Sequence, residues 1–479
     1  MNTRMISRVL GLILLVLAAL MLLPLVAGLC YGENVLNFVL PIGITAALGF
    51  VLTRFKPVSK DLFARDGFVI VGLGWVLMSL LGALPFVISG SIPSYIDAVF
   101  ETVSGFTTTG STILTDVESL PRGDMFWRLF THWIGGMGVL VFLMAVLPMS
   151  GEHSMHIMRA EVPGPTVGKL VPRVRKTASI LYLLYIGLTL AEMLFLLLGG
   201  MSFYEALLHA FATAGTGGFS TRGASIGGFN SLYVEIVIAC FMLLFGVNFN
   251  LYFLLLLGRG KDVLKNEELH WYIGIVLSAV LAISLGIGKM YGGFATGLRH
   301  AYFNVAAIIS TTGFGTEDFT HWPEYCKWIL ILLMFCGGCA GSTGGGIKLS
   351  RLMILAKTLF AEIRQMSHPR SVTCVRLDGK RVDPAVVKAA SIFFVLYMFL
   401  LLLFSALISL DGYDITTSFT AALSALSNIG PGMTELIGPA GSYAIFSAPV
   451  KLLLSVAMLL GRLEFYPVLV LLSRHTWRT

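Results

Sequence analysis

The stretch from Tyr95 to Ser111, YIDAVFETVSGFTTTGS, is an apolar segment too short to cross a bilayer that ends in a turn of threonine, glycine and serine. The pattern returns three times. Tyr204 to Phe219 reads YEALLHAFATAGTGGF, Leu298 to Gly315 reads LRHAYFNVAAIISTTGFG, and Thr417 to Gly432 reads TSFTAALSALSNIGPG. Gly110, Gly218, Gly313 and Gly430 align at separations of 108, 95 and 117 residues, the interval of a span, a loop and a second span repeated four times.

The rest of the 479-residue chain supplies those spans. It is 56% hydrophobic and 12% charged, with a mean hydropathy of +0.85. Apolar runs lie near residues 9–30, 35–54, 67–90, 126–149, 177–200, 230–258, 270–288, 326–358, 388–410 and 445–473. A helix rising 1.5 Å per residue needs about 20 such residues to cross about 30 Å of hydrocarbon. The fold class is therefore an all-α polytopic membrane protein of about ten transmembrane helices, with four helix–pore loop–helix units around one central pore and two extra N-terminal helices. The units fall at 1–66 for the N-terminal pair, then 67–176, 177–269, 270–387 and 388–479.

A transmembrane β-barrel would show short segments of alternating polarity, and a nucleic-acid-binding protein would gather the +7 net charge on one water-exposed module. Neither pattern is present, so nucleic acid is no expected partner and the lipid bilayer is. Arg4 and Arg8 ahead of the run from Val9 to Leu29 resemble a secretory signal, but the run is too long, and bulky Leu29 before Cys30 spoils a lipoprotein site. The first helix is expected to be retained. Cys336 and Cys339 form an isolated C-x-x-C with no partnering cluster, better read as small residues at a close packing point than as a metal site.

Basic residues orient the spans. Arg54, Lys56, Lys60 and Arg65, then Arg159, Lys169, Arg173, Arg175 and Lys176, then Arg259, Lys261 and Lys265, the segment Lys348 to Lys388, and Arg462, Arg474 and Arg478 fall on one side. By the positive-inside bias that side is cytoplasmic, and both termini with it. Arg122, Arg128, Arg222, Lys289, Arg299, Lys327 and Lys451 fall outside, among Asp97, Glu101, Asp116, Glu118, Asp124, Glu205, Glu317, Asp318, Glu324, Asp411, Asp414 and Glu435. Such a net negative surface would concentrate cations at its mouth, or is simply the complement of the inner charge.

Unpaired backbone inside a bilayer costs several kcal/mol per group unless it lines a water- or ion-filled cavity. Four such turns point to a central pore, where glycine permits conformations that aim successive carbonyls at one axis in place of an ion's hydration shell. The candidate filter residues are Thr108, Thr109 and Gly110; Thr216, Gly217 and Gly218; Thr311, Thr312 and Gly313; and Asn428, Ile429 and Gly430.

A second irregular segment interrupts the eighth span. Cys336 to Lys348 reads CGGCAGSTGGGIK, and this glycine content is incompatible with a regular helix at about 1 kcal/mol per glycine relative to alanine. No strand precedes it and no Gly-Lys-Ser/Thr follows, so it is a loop at membrane depth rather than a phosphate cradle. Arg462 lies well inside the last apolar run, with Glu464 close by as a possible neutralising partner. An arginine there is costly and marks function unless it snorkels to the interface. Glu192, His132, Asn248 and Asn250 are intramembrane polar residues read as interhelical hydrogen-bonding groups.

The four-fold span–pore loop–span arrangement with single glycines, the FTTTGS motif from Phe106 to Ser111, and the inner glycine-rich run resemble the Trk/Ktr/HKT superfamily of potassium transporters, and within it the TrkH branch of bacteria. The resemblance covers essentially the whole chain. It implies potassium uptake across the bacterial inner membrane by a multi-pass protein, with Gly110 in place of the serine that accompanies sodium permeation in some plant relatives. It further implies that Gly337, Gly338, Gly341, Ser342, Thr343, Gly344, Gly345, Gly346 and Lys348 form a gate beneath the filter, with Arg462 repelling cations or holding the loop's carbonyls. The implied assembly is a homodimer docked on a cytosolic TrkA-type ring. That ring would bind NAD and ATP, leaving this chain with no cofactor beyond the transported potassium ion.

Channel-like passage and symport coupled to protons or sodium both fit this pattern. An ion-coupled transporter of another class would show two inverted halves rather than four parallel units. An intramembrane enzyme would need a nucleophile and base or metal ligands at matching depths, and His132, His209 and His300 are scattered without partnering motifs.

Overall fold

The computed structural model describes residues 2–55, 63–138, 174–370, 374–473 and 476. Thr3–Leu20 and Leu22–Cys30 together make one span of 28 residues. The short break at Met21 reflects Pro24, which has no N–H to donate to the carbonyl four residues earlier. This span packs on Leu36–Thr53, and the contact is made by glycine: a Cβ on Gly11 would lie 2.6 Å from the Gly49 carbonyl oxygen. The N-terminal pair leans on the first repeat through Ala64–Gly82 and Arg122–Met137.

Each repeat has an apolar helix, a short helix, an irregular turn and a second helix. The first helices are Ala64–Gly82 continued by Leu84–Ser89, then Val174–Leu198, Glu267–Ile287 and Pro384–Ile408. The short helices are Tyr95–Phe106, Phe203–Gly215, Phe294–Ile309 and Ile415–Ser427. Ser94, Ser202 and Asp414 cap the first, second and fourth by accepting backbone N–H bonds, which starts each helix at a defined residue.

The second helices close the ring. Arg122–Met137 packs on the second short helix, Leu232–Phe245 on the third, Glu324–Cys336 on the fourth, and Ala448–Arg462 returns to the first. This head-to-tail circuit is the geometry of four parallel units around one axis, not of two inverted halves.

Among the described residues six helices are long and apolar enough to cross a membrane by length and composition, and Leu232–Phe245 with Phe249–Leu256 forms a further pair bent by 91°. The sequence suggested one interrupted span, in the third repeat; the interruption in fact recurs in the second and fourth repeats, and in the first the helix ends at the same place. Arg122–Met137 ends at Gly138 with φ +74°, Glu324–Cys336 at Gly337 with φ +64°, and Ala448–Arg462 just before Glu464 and Phe465 with φ +53° and +70°. Residues 139–149 of the fourth apolar run, and the basic residues Lys56, Lys60, Arg159, Lys169, Arg173, Arg474 and Arg478, lie outside the described residues.

Because Gly11 meets backbone while Gly43 has nothing within 4 Å, Gly11→Leu should destabilise the N-terminal pair by about 1–3 kcal/mol through overpacking, and Gly43→Leu should not. Thermal unfolding of the detergent-solubilised protein checks the contrast.

Candidate functional site

The four turns share one backbone rule. Thr108, Thr216, Thr311 and Asn428 adopt φ of +56°, +54°, +59° and +54°, and two residues later Gly110, Gly218, Gly313 and Gly430 adopt +82°, +76°, +77° and +106°. The intervening residues are not in that region, so handedness alternates along each turn, as is needed to point successive carbonyls the same way. A non-glycine residue in the left-handed region is uncommon, and here the strain recurs at four equivalent positions.

The turns meet side by side. A Cβ on Gly110 would lie 2.0 Å from the Gly217 carbonyl oxygen, on Gly218 2.1 Å from that of Thr312, on Gly313 1.8 Å from that of Ile429, and on Gly430 2.7 Å from that of Thr109. Each glycine thus abuts the carbonyl preceding the next glycine, and the fourth contact returns to the first turn. Of the three carbonyls in each turn, those of Thr108, Thr109, Gly110, Thr216, Gly217, Gly218, Thr311, Thr312, Gly313, Asn428 and Ile429 accept no hydrogen bond from the described residues. Gly430 alone differs. Buried carbonyls are almost always paired, so a ring of unpaired ones has the donor chemistry to hold a cation.

Side chains behind the ring hold it. His132 on the second helix of the first repeat places Nδ1 2.8 Å from the Gly105 carbonyl and Nε2 3.2 Å from the Phe219 N–H. A carbonyl only accepts and an amide N–H only donates, which assigns the proton to Nδ1. The ring fills the space where a side chain at Gly217 would go, with a Cβ there 2.2 Å from His132 Cγ. In the first and third turns that place holds Thr109 and Thr312, whose hydroxyls bond Thr107 at 2.8 Å and Ser310 at 2.7 Å.

Arg128 Nε donates to Glu101 at 2.6 Å, and its Nη1 donates to the Ser220 carbonyl at 3.1 Å. Glu101 also accepts from the Thr112 hydroxyl at 2.9 Å and the Ile113 N–H at 3.0 Å, tying the first turn's exit to the second's. Glu101 is 1% exposed, so it adds no charge to the mouth. Asp124 is likewise buried, between Asn37 and Ser91, while Lys451 pairs with Asp97 and Arg222 with Glu205. Lysine or arginine thus neutralises Asp97, Glu101, Glu205 and Glu324 of the expected acidic surface, while Asp116, Glu118, Glu317, Asp318, Asp411, Asp414 and Glu435 have no such partner among the described residues.

Below the ring lies the glycine-rich segment between Cys336 and Leu349, and all its predicted residues come together there. The Gly345 N–H donates to the Thr311 hydroxyl at 2.7 Å, and a Cβ on Gly345 would meet the Ser427 carbonyl at 2.4 Å, so the loop touches the third and fourth turns directly. The Cys339 N–H donates to the Gly246 carbonyl at 2.9 Å, and the Phe249 N–H donates to the Gly341 carbonyl at 3.1 Å, joining the loop to the bend of the second repeat. Lys348, with φ +73°, donates from Nζ to the Gly344 carbonyl.

Arg462 completes the circuit. Nη1 donates to the Thr343 carbonyl at 2.7 Å, and Nη2 donates to the Gly135 and Gly136 carbonyls at 2.5 and 2.7 Å. The guanidinium thus joins the loop to the carbonyl end of Arg122–Met137, where a cation is favoured. Glu464 serves a different arginine: Arg351 holds it with two bonds, at 2.9 and 2.5 Å.

Of the other polar residues, Asn248 caps Phe249–Leu256 by accepting the Asn250 N–H at 2.9 Å, a local role rather than an interhelical one. Glu192 is buried beside Thr213 of the second short helix. Sequence reasoning missed Glu268, whose Oε1 accepts the Ala340 N–H at 2.7 Å and the Ser350 N–H at 3.1 Å, pinning the loop near both ends. It also missed the Glu101–Arg128 pair, although a charge inside an otherwise apolar short helix was a readable signal.

Fold and site define a multi-pass membrane protein built of four pore-loop repeats around one axis. A family model described as "TrkH: Cation transport protein" matches residues 34–280 and 276–477. The chain belongs to the TrkH family. It is 36% identical over 485 residues to "Trk system potassium uptake protein TrkH" of Salmonella typhimurium and 35% identical over 492 residues to "Trk system potassium uptake protein TrkG" of Escherichia coli, covering 100% of both chains in each pair. It matches the crystal structure of "the Potassium Transporter TrkH from Vibrio parahaemolyticus" with a TM-score of 0.90 at 32% identity, over 100% of both chains.

Glu101→Gln leaves Arg128 charged, buried and unpaired. The expected loss is about 3–5 kcal/mol, against less than about 0.5 kcal/mol for exposed Glu118→Gln, measured by chemical denaturation.

Proposed function

We propose that this chain takes up potassium ions across the bacterial inner membrane, passing them along a filter made of the carbonyls of the four turns. The observation that carries the reading is the closed ring in which eleven of twelve turn carbonyls have no hydrogen-bond donor among the described residues. A dehydrating monovalent cation satisfies such oxygens without proton chemistry. The names of its relatives, Trk system potassium uptake proteins, supply the ion.

The ligands in this reading are Thr108, Thr109, Gly110, Thr216, Gly217, Gly218, Thr311, Thr312, Gly313, Asn428 and Ile429, with Gly430 closing the ring. The loop 336–348 is the gate and Arg462 its latch, so opening requires breaking the guanidinium's bonds to Thr343, Gly135 and Gly136. No catalytic group is required, and the protein is a transporter rather than an enzyme. Both termini face the cytoplasm, with the filter mouth outside. On the cytoplasmic side the exposed basic hairpin pairing Arg376–Leu377 with Lys380–Arg381 suits an acidic surface on a cytosolic nucleotide-binding ring of the TrkA type, docked on a homodimer. NAD and ATP belong to that ring, and the chain itself carries only the potassium ion.

Ion flux into proteoliposomes tests the filter. Gly110→Ser puts a Cβ 2.0 Å from a carbonyl in a φ +82° residue, and should cut discrimination of potassium over sodium by about tenfold or more. Unchanged selectivity in a folded variant would sink the reading. Arg462→Met should raise flux about tenfold or more in the absence of any partner, since each hydrogen bond to a charged group is worth about 1.5–3 kcal/mol.

A further inference from the structure

The four turns are alike in backbone but not in what their outermost carbonyl does. The Gly430 carbonyl accepts the Ser424 hydroxyl at 2.8 Å, the Tyr443 hydroxyl at 2.8 Å and the Ser111 hydroxyl at 3.1 Å. A carbonyl oxygen has two lone pairs, so three donors leave it no capacity for an ion. The equivalent carbonyls of Gly110, Gly218 and Gly313 accept no hydrogen bond from the described residues.

The donors are built in. Ser424, Ser111 and Tyr443 are all 2% exposed or less. Tyr443 is fixed further by its own N–H, which donates to the Thr112 carbonyl at 2.9 Å, and by its ring against Phe100, 5.7 Å between centroids. The difference is written in the repeats, since the positions matching Ser424 are Ala212 and Ala307 in the second and third units. The first has Ser104, whose hydroxyl has no hydrogen-bond partner among the described residues.

We infer that the outermost ion layer of the filter is three-sided, coordinated by the carbonyls of Gly110, Gly218 and Gly313, while Ser111, Ser424 and Tyr443 withhold that of Gly430. The inference rests on the filter reading and refines it. An ion in this layer keeps water on the fourth side and is held more loosely than in the two inner layers, where all four turns offer an unengaged carbonyl. The outer layer is then a partly hydrated loading step, and discrimination against sodium belongs to the inner ones.

Rubidium, which gives anomalous X-ray scattering, is the probe. In crystals of the full chain soaked with rubidium chloride, the outer peak should lie at coordination distance from the oxygens of Gly110, Gly218 and Gly313 and beyond it from that of Gly430. A peak coordinated by all four, or peaks confined to the inner layers, would overturn the inference. In solution, the double substitution Ser424→Ala with Tyr443→Phe leaves the Gly430 carbonyl only the Ser111 bond, which frees one of its two lone pairs, and should tighten rubidium binding by about tenfold, the scale of one further ligand contact. Unchanged affinity in a variant that keeps its melting temperature counts against the three-sided layer. Gly110→Ser is the separate control: it must weaken rubidium binding, and if it does not, the filter reading itself fails.

Discussion

A peptide carbonyl buried without a donor costs free energy, and in a bilayer there is no water to relieve it. The four turns place eleven carbonyls without a donor around one axis, eight of them on buried residues, and the rest of the chain is arranged to keep them there. Collapse of the ring is prevented by contacts too close for side chains, each glycine lying against the carbonyl of its neighbour. The same tolerance operates one layer out, where a Cβ on Gly135 would meet the Phe106 carbonyl at 1.8 Å and one on Gly461 the Leu426 carbonyl at 2.2 Å. Short helices can therefore seat deep against the second helices of the ring. Behind them the Glu101–Arg128 pair and His132 join the first and second turns, so that neither can relax alone.

The breaks in the second helices follow from the same constraint. A straight helix continuing past the ring has no reason to approach the axis, whereas a break lets the chain turn beneath the turns. In the third repeat the break has grown into the loop from Gly337 to Lys348, which touches the third and fourth turns directly, the second repeat through Gly246 and Phe249, and the first through Arg462. A charge at this depth is tolerable because three carbonyls left over at broken ends receive it. Arg462 and the loop are thus one device: the irregular backbone supplies the acceptors that make the buried arginine affordable, and the arginine holds that backbone in place.

Much of this was legible in the residues. The four aligned glycines, the short apolar segments ahead of them and the composition of 336–348 each violate what a bilayer permits in an ordinary span, and a violation repeated at a fixed interval is visible without an alignment. What was not legible has a common cause. Glu101 and Asp124 read as part of an acidic mouth because sequence gives the side of the membrane and not the depth of burial, and Glu464 read as the partner of Arg462 because nearness in sequence stood in for nearness in space. Glu268 opens an apolar helix as countless capping acids do, and only the fold brings a loop more than 70 residues away onto its carboxylate.

By itself the sequence determined the class of element and its repetition, because the length of apolar runs, the placement of glycine and the distribution of basic residues are local quantities that the bilayer reads one segment at a time. Tertiary structure decided which polar groups answer one another. His132 occupies the space that Gly217 leaves open, and Ser111, Ser424 and Tyr443 meet at a single carbonyl although they lie up to 332 residues apart. Hydrogen bonds of this kind depend on atoms falling within about 3 Å of one another, and in a ring closed by its first and last repeats that distance bears no relation to separation along the chain.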